Sequence, residues 1–223
     1  EKKDLKGAKV ALLPGDPGRV EGIARAVAAE YGTISKRLAS KREFTTYLSS
    51  FNGNNLIVTS TGIGGPSASI AIDELAQLGV TAFIRVGTTG AIQEFIKDGD
   101  CVITTGSVRL DGASTHYAPI EYPAVADHCL TNALVKGAEA AGVKYHLGVT
   151  ASSDTFYPGE ERIDSFRKFK MRRFRGATEE LRALHVLNYE MESSTVLALT
   201  ASMGLKGACI TGVVNRGSVG RIT

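Results

Sequence analysis

The feature that most constrains the fold is a regular alternation of short apolar runs with helix-like segments. Each apolar run is too short for a buried helix and ends at a loop of small residues, which is typical of a strand. The predicted strands cover residues 10–13, 56–60, 82–86, 101–104, 145–150 and 207–214. The predicted helices cover residues 19–30, 67–78, 124–141 and 192–203.

Strands that alternate with helices indicate an α/β protein, because a helix must return the chain between two parallel strands. No long linker, low-complexity stretch or internal repeat interrupts the pattern. We therefore predict one domain over residues 1–223. Its expected architecture is a three-layer α/β/α sandwich around a central mixed, mainly parallel sheet.

Composition excludes several classes of protein. With 43% hydrophobic and 22% charged residues, the chain is typical of globular proteins and not of disordered ones. A formal net charge of +3 is too small to indicate a nucleic-acid binder. No signal peptide and no membrane-spanning run is visible, so no membrane partner is expected. Three widely separated cysteines, Cys101, Cys129 and Cys209, favour a reducing, cytoplasmic location.

The common cofactor and hydrolase motifs are missing from the sequence. Gly62-x-Gly64-x-x-Ser67 has serine where the dinucleotide fingerprint has its third glycine, and neither a Walker A motif nor a nucleophile elbow occurs. The four histidines lack metal-ligand spacing, which indicates structural or exposed roles for His116, His128, His146 and His185. Zinc-dependent and serine hydrolysis are therefore disfavoured.

Small residues and arginines gather where the predicted strands end. In parallel sheets a ligand binds beyond the carboxyl ends of the strands, so these loops predict a phosphate or sugar pocket. Arg19 lies at a helix start, where backbone N–H groups favour an anion. Arg85 lies inside an apolar strand, and by itself this supports a structural salt bridge and a ligand contact about equally. Thr88 and Thr89 follow directly, which favours phosphate binding.

The acidic cluster in the last third of the chain has two interpretations, whereas the basic stretch has one that is clearly favoured. Glu190 and Glu192 precede a predicted helix, where carboxylates can simply complement the helix dipole. Equally, a carboxylate there could accept hydrogen bonds from two vicinal sugar hydroxyls. The basic stretch 162–175 is interpreted as a solvated loop, because no RNA-binding module accompanies it.

Taken together, these segments resemble the hexameric nucleoside phosphorylase family, and in particular its members that act on uridine. The resemblance extends from about Asp4 to Arg216. It rests on the joint order and spacing of the segments 14–19, 40–44, 60–67, 85–90, 107–114, 150–159 and 188–193.

The resemblance implies a pentosyltransferase of pyrimidine salvage, in which phosphate displaces uracil from C1′ of uridine reversibly to give ribose 1-phosphate. The residues expected to act directly in catalysis are Arg85, Glu192 and Arg162. Those expected to bind phosphate are Gly15, Arg19, Arg42, Arg85 and Thr88. The ribose would be held by Thr89, Met191 and Glu192, and the base by Phe156, Glu160, Arg162 and Arg216.

The resemblance also implies an assembly. Arg42 would act in the site of a neighbouring subunit, so a homo-oligomer with shared sites is expected, as a hexamer built from three dimers. No cofactor is required, because inorganic phosphate is a co-substrate. Glu43, Ile63 and Ser67 match a site for a monovalent cation such as potassium at a dimer interface.

The sequence departs from the family pattern at several points. The chain begins after the family's N-terminal histidine, the strand ending at residues 212–216 is one residue shorter, and the family's C-terminal helix does not follow Arg216. Glu160 replaces a glutamine. Uracil presents the O2 acceptor beside the N3–H donor, whereas an ionised carboxylate can only accept. We therefore expect Glu160→Gln to lower the KM for uridine several-fold.

Three other functions stay open at this point. An ionised Glu160 suits the two adjacent donors of guanine, so phosphorolysis of guanosine or inosine is the main alternative. A noncatalytic nucleotide-binding module is the second. A nucleosidase of the same fold is the third, although it has no need of Arg19, Arg42 and Arg85 together.

Overall fold

The strands form at the apolar runs and mostly extend beyond them. The protein is described here by a computed structural model of residues 1–216, with side chains for residues 1–215. The strands are β1 (Val10–Leu13), β2 (Lys36–Lys41), β3 (Phe44–Phe51), β4 (Asn54–Thr59), β5 (Ala82–Ala91), β6 (Cys101–Leu110), β7 (Ala124–Val125), β8 (Tyr145–Ser153), β9 (Asn188–Glu190) and β10 (Lys206–Arg216).

The helices join these strands, and all of them except α4, which was not predicted, overlap the predicted positions. They are α1 (Val20–Glu30), α2 (Gly65–Gln77), α3 (His128–Ala140), α4 (Ala177–Ala183) and α5 (Ser193–Ser202). Short 3-10 turns cover Lys2–Leu5, Pro17–Arg19, Ala113–His116 and Arg172–Phe174. Among the residues that the structure describes, no helix is long and apolar enough to cross a membrane.

One sheet contains all ten strands in the order β10-β6-β8-β9-β5-β1-β4-β3-β2, with β7 added to β6. Strand β10 also pairs with β5, so β5, β9, β8, β6 and β10 form a closed ring. The sheet is mixed, as expected. Five strand pairs are parallel and five are antiparallel in the described part of the chain, and the two longest pairs are parallel, which agrees with the expected mainly parallel sheet.

Side chains that alternate along β1 pack against helices on both faces of the sheet. Leu13 lies in one apolar cluster with Ile72 of α2 and Leu199 of α5. Leu12 lies in another cluster with Val20 of α1. Because successive strand residues point to opposite faces, α1 covers one face while α2 and α5 cover the other. This confirms the α/β class with helices around a central sheet. The single domain over residues 1–223 stays a prediction.

Two hairpins between residues 36 and 59 were missed by the sequence analysis. Strand β2 pairs antiparallel with β3, and β3 pairs antiparallel with β4. The second turn is Asn52-Gly53, with φ values of 45° and 75° at the two residues. This dipeptide is preferred in tight hairpins because both of its residues tolerate a positive φ.

Three predicted boundaries were wrong. The predicted loop 87–90 continues β5 to Ala91, and residues 105–110 continue β6. The predicted helix 124–141 starts only at His128, because Asp127 caps it by accepting a hydrogen bond from Leu130 N at 2.9 Å. Residues 124 and 125 instead form β7.

A β-bulge interrupts the last strand. The pairing of β10 with β5 shifts register between Val213 and Asn215, so Val214 has no direct partner on β5. The alternation of side chains is reset at this point, which is also where the sequence departs by one residue from the family pattern.

Candidate active site

A cavity of about 600 Å³ lies where β1, β4 and β5 end and where β9 meets α5. It brings together most of the residues predicted from the sequence to act in a site. They are Gly15, Arg19, Glu43, Ile63, Ser67, Arg85, Thr88, Thr89, Phe156, Glu160, Met191 and Glu192.

Three predicted residues are not placed on the wall of this cavity. Arg42 lies in the turn between β2 and β3 and lines a second cavity of about 490 Å³. Arg162 lies behind the ring of Phe156, with its guanidinium carbon 4.3 Å from the ring centroid. The side chain of Arg216 lies outside the described residues.

The centre of the site is a buried arginine between two carboxylates. Arg85 stands in β5 between Leu13 of β1 and Cys209 of β10, and only 5% of it is exposed. Its Nε donates to Glu190 Oε2 at 2.6 Å, and its Nη2 forms an ion pair with Glu192. Burial would lower the pKa of Arg85, but Glu192 and Glu190 raise it above its usual value, so the guanidinium stays charged.

Glu190 is held in place by hydrogen bonds and anchors this arginine. Its carboxylate accepts hydrogen bonds from Glu192 N at 2.9 Å, and from Ser193 N at 2.8 Å and Ser193 Oγ at 2.6 Å. These donors lie at the first turn of α5, where backbone N–H groups lack partners within the helix. Glu190 therefore holds Arg85 to the sheet and keeps its own charge satisfied.

Glu192 faces the cavity with one oxygen held on each side. Its Oε1 accepts from Gly64 N at 2.6 Å, and its Oε2 meets Arg85. Burial raises the pKa of Glu192, while the adjacent Arg85 opposes that rise. The Glu192 carboxylate is therefore a hydrogen-bond acceptor held in a fixed position beside the Arg85 guanidinium.

Two glycines make room for the arginine head group. A Cβ at Gly87 would lie 2.7 Å from Arg85 Nη2, which is closer than real contacts allow. A Cβ at Gly15 would lie 3.2 Å from Gly62 O and 3.9 Å from Arg85 Nη1. Among the described residues, Nη1 has no hydrogen-bond partner, so two N–H donors remain for a ligand next to Gly15.

A polar network supports Thr89 from below. Its hydroxyl donates to Tyr189 O and accepts from Asn188 Nδ2 at 2.7 Å. Asn188 Oδ1 in turn accepts from Thr150 Oγ1 at 2.9 Å. Because all these groups are buried and satisfied, they fix the hydroxyl that lines the cavity.

Phe156 and Glu160 form an aromatic and acidic end of the cavity. Arg162 covers the ring of Phe156 and donates to Asp164 from Nε at 3.0 Å and from Nη2 at 2.7 Å. Glu160 is 8% exposed and receives no such bond. Burial raises the pKa of Glu160 to about 8; Arg162 lowers it, while Glu190 and Glu192 raise it further.

Oxygen atoms at another part of the wall suit a hard cation. Ser67 Oγ lies 3.1 Å from Glu43 Oε1 and 2.5 Å from Thr61 O. The exposed Ile63 could offer only its backbone carbonyl. Carboxylate, hydroxyl and carbonyl oxygens are ligands for hard cations, so the donor set fits an alkali metal ion. In the described residues no cluster of three or more His, Cys, Asp or Glu side chains could hold a metal.

The separate roles of the two glutamates were not predicted from the sequence. Glu190 and Glu192 were interpreted as one acidic cluster at a helix start, whereas Glu190 ends β9 and α5 begins at Ser193. The signal was an acidic residue three positions after the apolar pair Val186 and Leu187, together with an arginine inside another apolar run. Either charge alone would be costly to bury, so each predicts the other.

Comparison with known proteins shows which family the chain belongs to. The profile of the Phosphorylase superfamily matches residues 9–221. The chain belongs to the phosphorylase superfamily. The resemblance inferred from the sequence motifs is thereby confirmed.

Curated members of this superfamily match nearly the whole chain. A uridine phosphorylase of Salmonella typhimurium is 55% identical over 213 residues, which cover 96% of this chain and 82% of the relative. A uridine phosphorylase of Haemophilus influenzae is 50% identical with the same coverage. A guanosine phosphorylase of Halorubrum lacusprofundi is 37% identical over 203 residues, 91% of this chain and 76% of the relative.

Proposed function

We propose that this chain is a pentosyltransferase that catalyses the reversible phosphorolysis of uridine to uracil and ribose 1-phosphate. The superfamily supports phosphorolysis, and the relatives at 50–55% identity, which are named uridine phosphorylases, support uridine as the nucleoside. The observation that carries the proposal is Arg85, whose Nη1 faces Gly15 while its other nitrogens are held by Glu190 and Glu192.

Phosphate would bind between Gly15, Arg19, Arg85 and Thr88. Arg85 supplies charge-assisted donors, which are about twice as strong as neutral ones. Arg19 is partly exposed and lies 3.8 Å from Asp16, so it can turn towards an incoming anion. A phosphate oxygen then forms a bond to C1′ as the bond from C1′ to N1 of uracil breaks, and uracil leaves with the electron pair.

The ribose would lie over Thr89, Met191 and Glu192. Glu192 accepts hydrogen bonds from the sugar hydroxyls, and its negative charge stabilises the positive charge that develops on the ribosyl group. Phe156 packs against the base, with Glu160 at its polar edge. Arg162 would reach the base only in a bound form in which it leaves Asp164. The expected contact of Arg216 with the base lies outside the described side chains.

The assembly and the cation belong to the same proposal. Arg42 lies outside the cavity of its own chain, which favours a role in the site of a second copy, within a hexamer built from dimers. Glu43, Ile63 and Ser67 would hold a potassium ion, which would link subunits and take no part in bond breaking. The described cysteines are all free, which favours the cytoplasm.

The test is a comparison of uridine cleavage with and without phosphate. We expect the ultraviolet absorbance change of uridine cleavage only when phosphate is present, with one ribose 1-phosphate formed per uracil.

Glu192→Gln should lower kcat/KM at least tenfold, because a neutral amide stabilises the developing positive charge less well. Cleavage without phosphate would indicate a nucleosidase. Cleavage of guanosine but not of uridine would make guanosine the substrate. Binding without cleavage would indicate a noncatalytic module.

A further inference from the structure

One buried carboxyl group in the cavity, that of Glu160, has no hydrogen-bond partner among the described residues. Glu160 is 8% exposed, lines the same wall as Phe156, and forms no hydrogen bond or ion pair with any other described residue. A buried carboxylate is normally paired or hydrogen-bonded, because an unpaired buried charge is costly. Its oxygens are therefore available to a ligand.

Most of the groups around Glu160 disfavour its ionised form, and Arg162 alone favours it. Its own loop supplies Arg162, whose Nε and Nη2 are engaged by Asp164. The junction of β9 and α5 supplies Glu190 and Glu192, two carboxylates, and the hydroxyl of Tyr189. Burial is the largest cause that raises the pKa of Glu160 to about 8, and the two glutamates add to it. At neutral pH the group is mostly a neutral acid.

A neutral carboxylic acid carries one donor and one acceptor side by side. The O–H donates, and the carbonyl oxygen accepts. Uracil presents the complementary pair, a carbonyl oxygen beside the N3–H group. An ionised carboxylate would instead place an acceptor opposite that carbonyl oxygen, and the donor that the base requires would be lost.

Building on the proposed function, we propose that Glu160 recognises uracil as a neutral carboxylic acid, so that its ionisation switches off recognition of this base. Uridine binding then retains a proton on Glu160. In alkaline solution, where free Glu160 is ionised, uridine binding must take up one proton from the solvent. The group touches the base edge and transfers no proton to the substrate during the reaction.

The first experiment compares wild type with Glu160→Gln, which keeps the donor and acceptor pair at every pH. We expect the ratio of their kcat/KM values for uridine, wild type over variant, to fall roughly 5- to 30-fold between pH 6.5 and pH 9.5, because with a pKa of about 8 only a small neutral fraction of Glu160 remains at the upper pH. Ionisation of phosphate and of uracil is common to both proteins and cancels in the ratio. Glu121→Gln, the same charge change at an exposed site outside the cavity, should keep the wild-type profile.

The second experiment measures binding without turnover. Uridine is titrated into each protein without phosphate, by calorimetry at pH 8.5 in two buffers with different ionisation enthalpies. With a pKa of about 8 for free Glu160, wild type should take up roughly three quarters of a proton more per uridine bound than Glu160→Gln. A carboxyl group with a purely structural role would change stability with pH but would leave proton uptake on binding equal in the two proteins.

The outcomes separate this inference from the proposed function. Superimposable pH profiles, or equal proton uptake in wild type and Glu160→Gln, overturn the role of Glu160 while uridine phosphorolysis stands. If uridine neither binds nor reacts in either protein at any pH, the proposed function fails first and the role of Glu160 fails with it.

Discussion

At the scale of single residues, the site depends on how one positive charge is neutralised. The sequence left two interpretations of Arg85 open, a structural salt bridge and a ligand contact. The geometry accommodates both, because Nε and Nη2 meet carboxylates while Nη1 faces the cavity beside Gly15. Glu190 and Glu192 would each be a costly buried charge without this arginine.

Truncation of Arg85 should therefore damage stability as well as activity. Arg85→Ala leaves two carboxylates buried without their counter-ion, and we expect a loss of about 3–5 kcal/mol in the free energy of unfolding. Urea unfolding measures it. The double variant Arg85→Ala/Glu192→Gln removes one orphaned charge and should regain part of this loss without regaining activity. A loss below about 1 kcal/mol in the single variant would show that the carboxylates do not depend on Arg85.

The burial of Glu160 changes what we expect of the Glu160→Gln variant. An ionised Glu160 led us to expect that Glu160→Gln lowers the KM for uridine several-fold. Burial raises the pKa of Glu160 to about 8, so the benefit of glutamine should be small at neutral pH and should grow above pH 8. The folded pKa lies above the unfolded value, so wild type loses stability relative to this variant as pH rises from about 4.5 through 8.

At the scale of elements, β5 carries the site because of where its glycine lies. Gly87 is two residues from Arg85, so both face the same side of the strand. The missing side chain leaves the space that the guanidinium occupies. Strand β5 thus combines a charge and a gap on one face.

Filling that gap should move the arginine. We expect Gly87→Ala to displace the Arg85 head group from its carboxylates and to lower kcat/KM for phosphate roughly 10-fold or more, since charge-assisted bonds worth about 1.5–3 kcal/mol each are disturbed. Gly212→Ala on the neighbouring strand β10 is the matched control, because a Cβ there meets nothing within 4 Å. Steady-state kinetics would compare the two, and equal activity would mean that Arg85 can shift without cost.

The sequence predicted most elements but not their ends. Apolar runs and capping residues locate β1, α1 and α5 well, because local chemistry determines them. The loop 87–90 was predicted from its small residues, yet pairing with β10 on one side keeps it in the strand. The hairpin at Asn52-Gly53 carries a strong local signal. It was missed because the alternation of strands and helices led the analysis to expect helical crossovers throughout.

The site was predictable in its residue types and less so in its pairings. Arg85, Thr89 and Glu192 were identified because charge or small size stands out beside apolar runs. Glu190 was not assigned to Arg85, since the two are separated by 105 positions and only the pairing of β5 with β9 brings them together. Similarly, sequence cannot show that Arg162 turns to Asp164, because both charges look exposed in a basic loop.

At the scale of the whole molecule, the proposed function includes a second copy of the chain. Arg42 lies at the tip of the hairpin between β2 and β3, on the edge of the sheet, and lines a cavity beside α2 with Ile70 and Leu78. Arg42 does not line the main cavity of its own chain, which supports the proposal that it contacts phosphate in a neighbouring copy.

Mixing two impaired variants tests whether the active site is shared between subunits. Arg42→Ala impairs the active site of the neighbouring subunit, because Arg42 is proposed to act there. Glu192→Gln impairs the active site of its own subunit. Mixed oligomers contain some sites with both residues intact, so activity should recover to a fraction of wild type after subunit exchange. Pull-down of a tagged variant establishes the exchange. No recovery in mixed oligomers would place the action of Arg42 elsewhere.

The pairing of Arg85 with Glu190 has a consequence for synthesis of the chain. The arginine leaves the ribosome 105 residues before its first counter-ion, a delay of roughly 5–20 s at about 5–20 residues per second. During that time β5 is an apolar segment with an uncompensated charge in its middle, and β10, its later neighbour, does not yet exist. The nascent chain therefore cannot complete its central sheet early, and it presents this strand to chaperones until the last part of the sheet arrives.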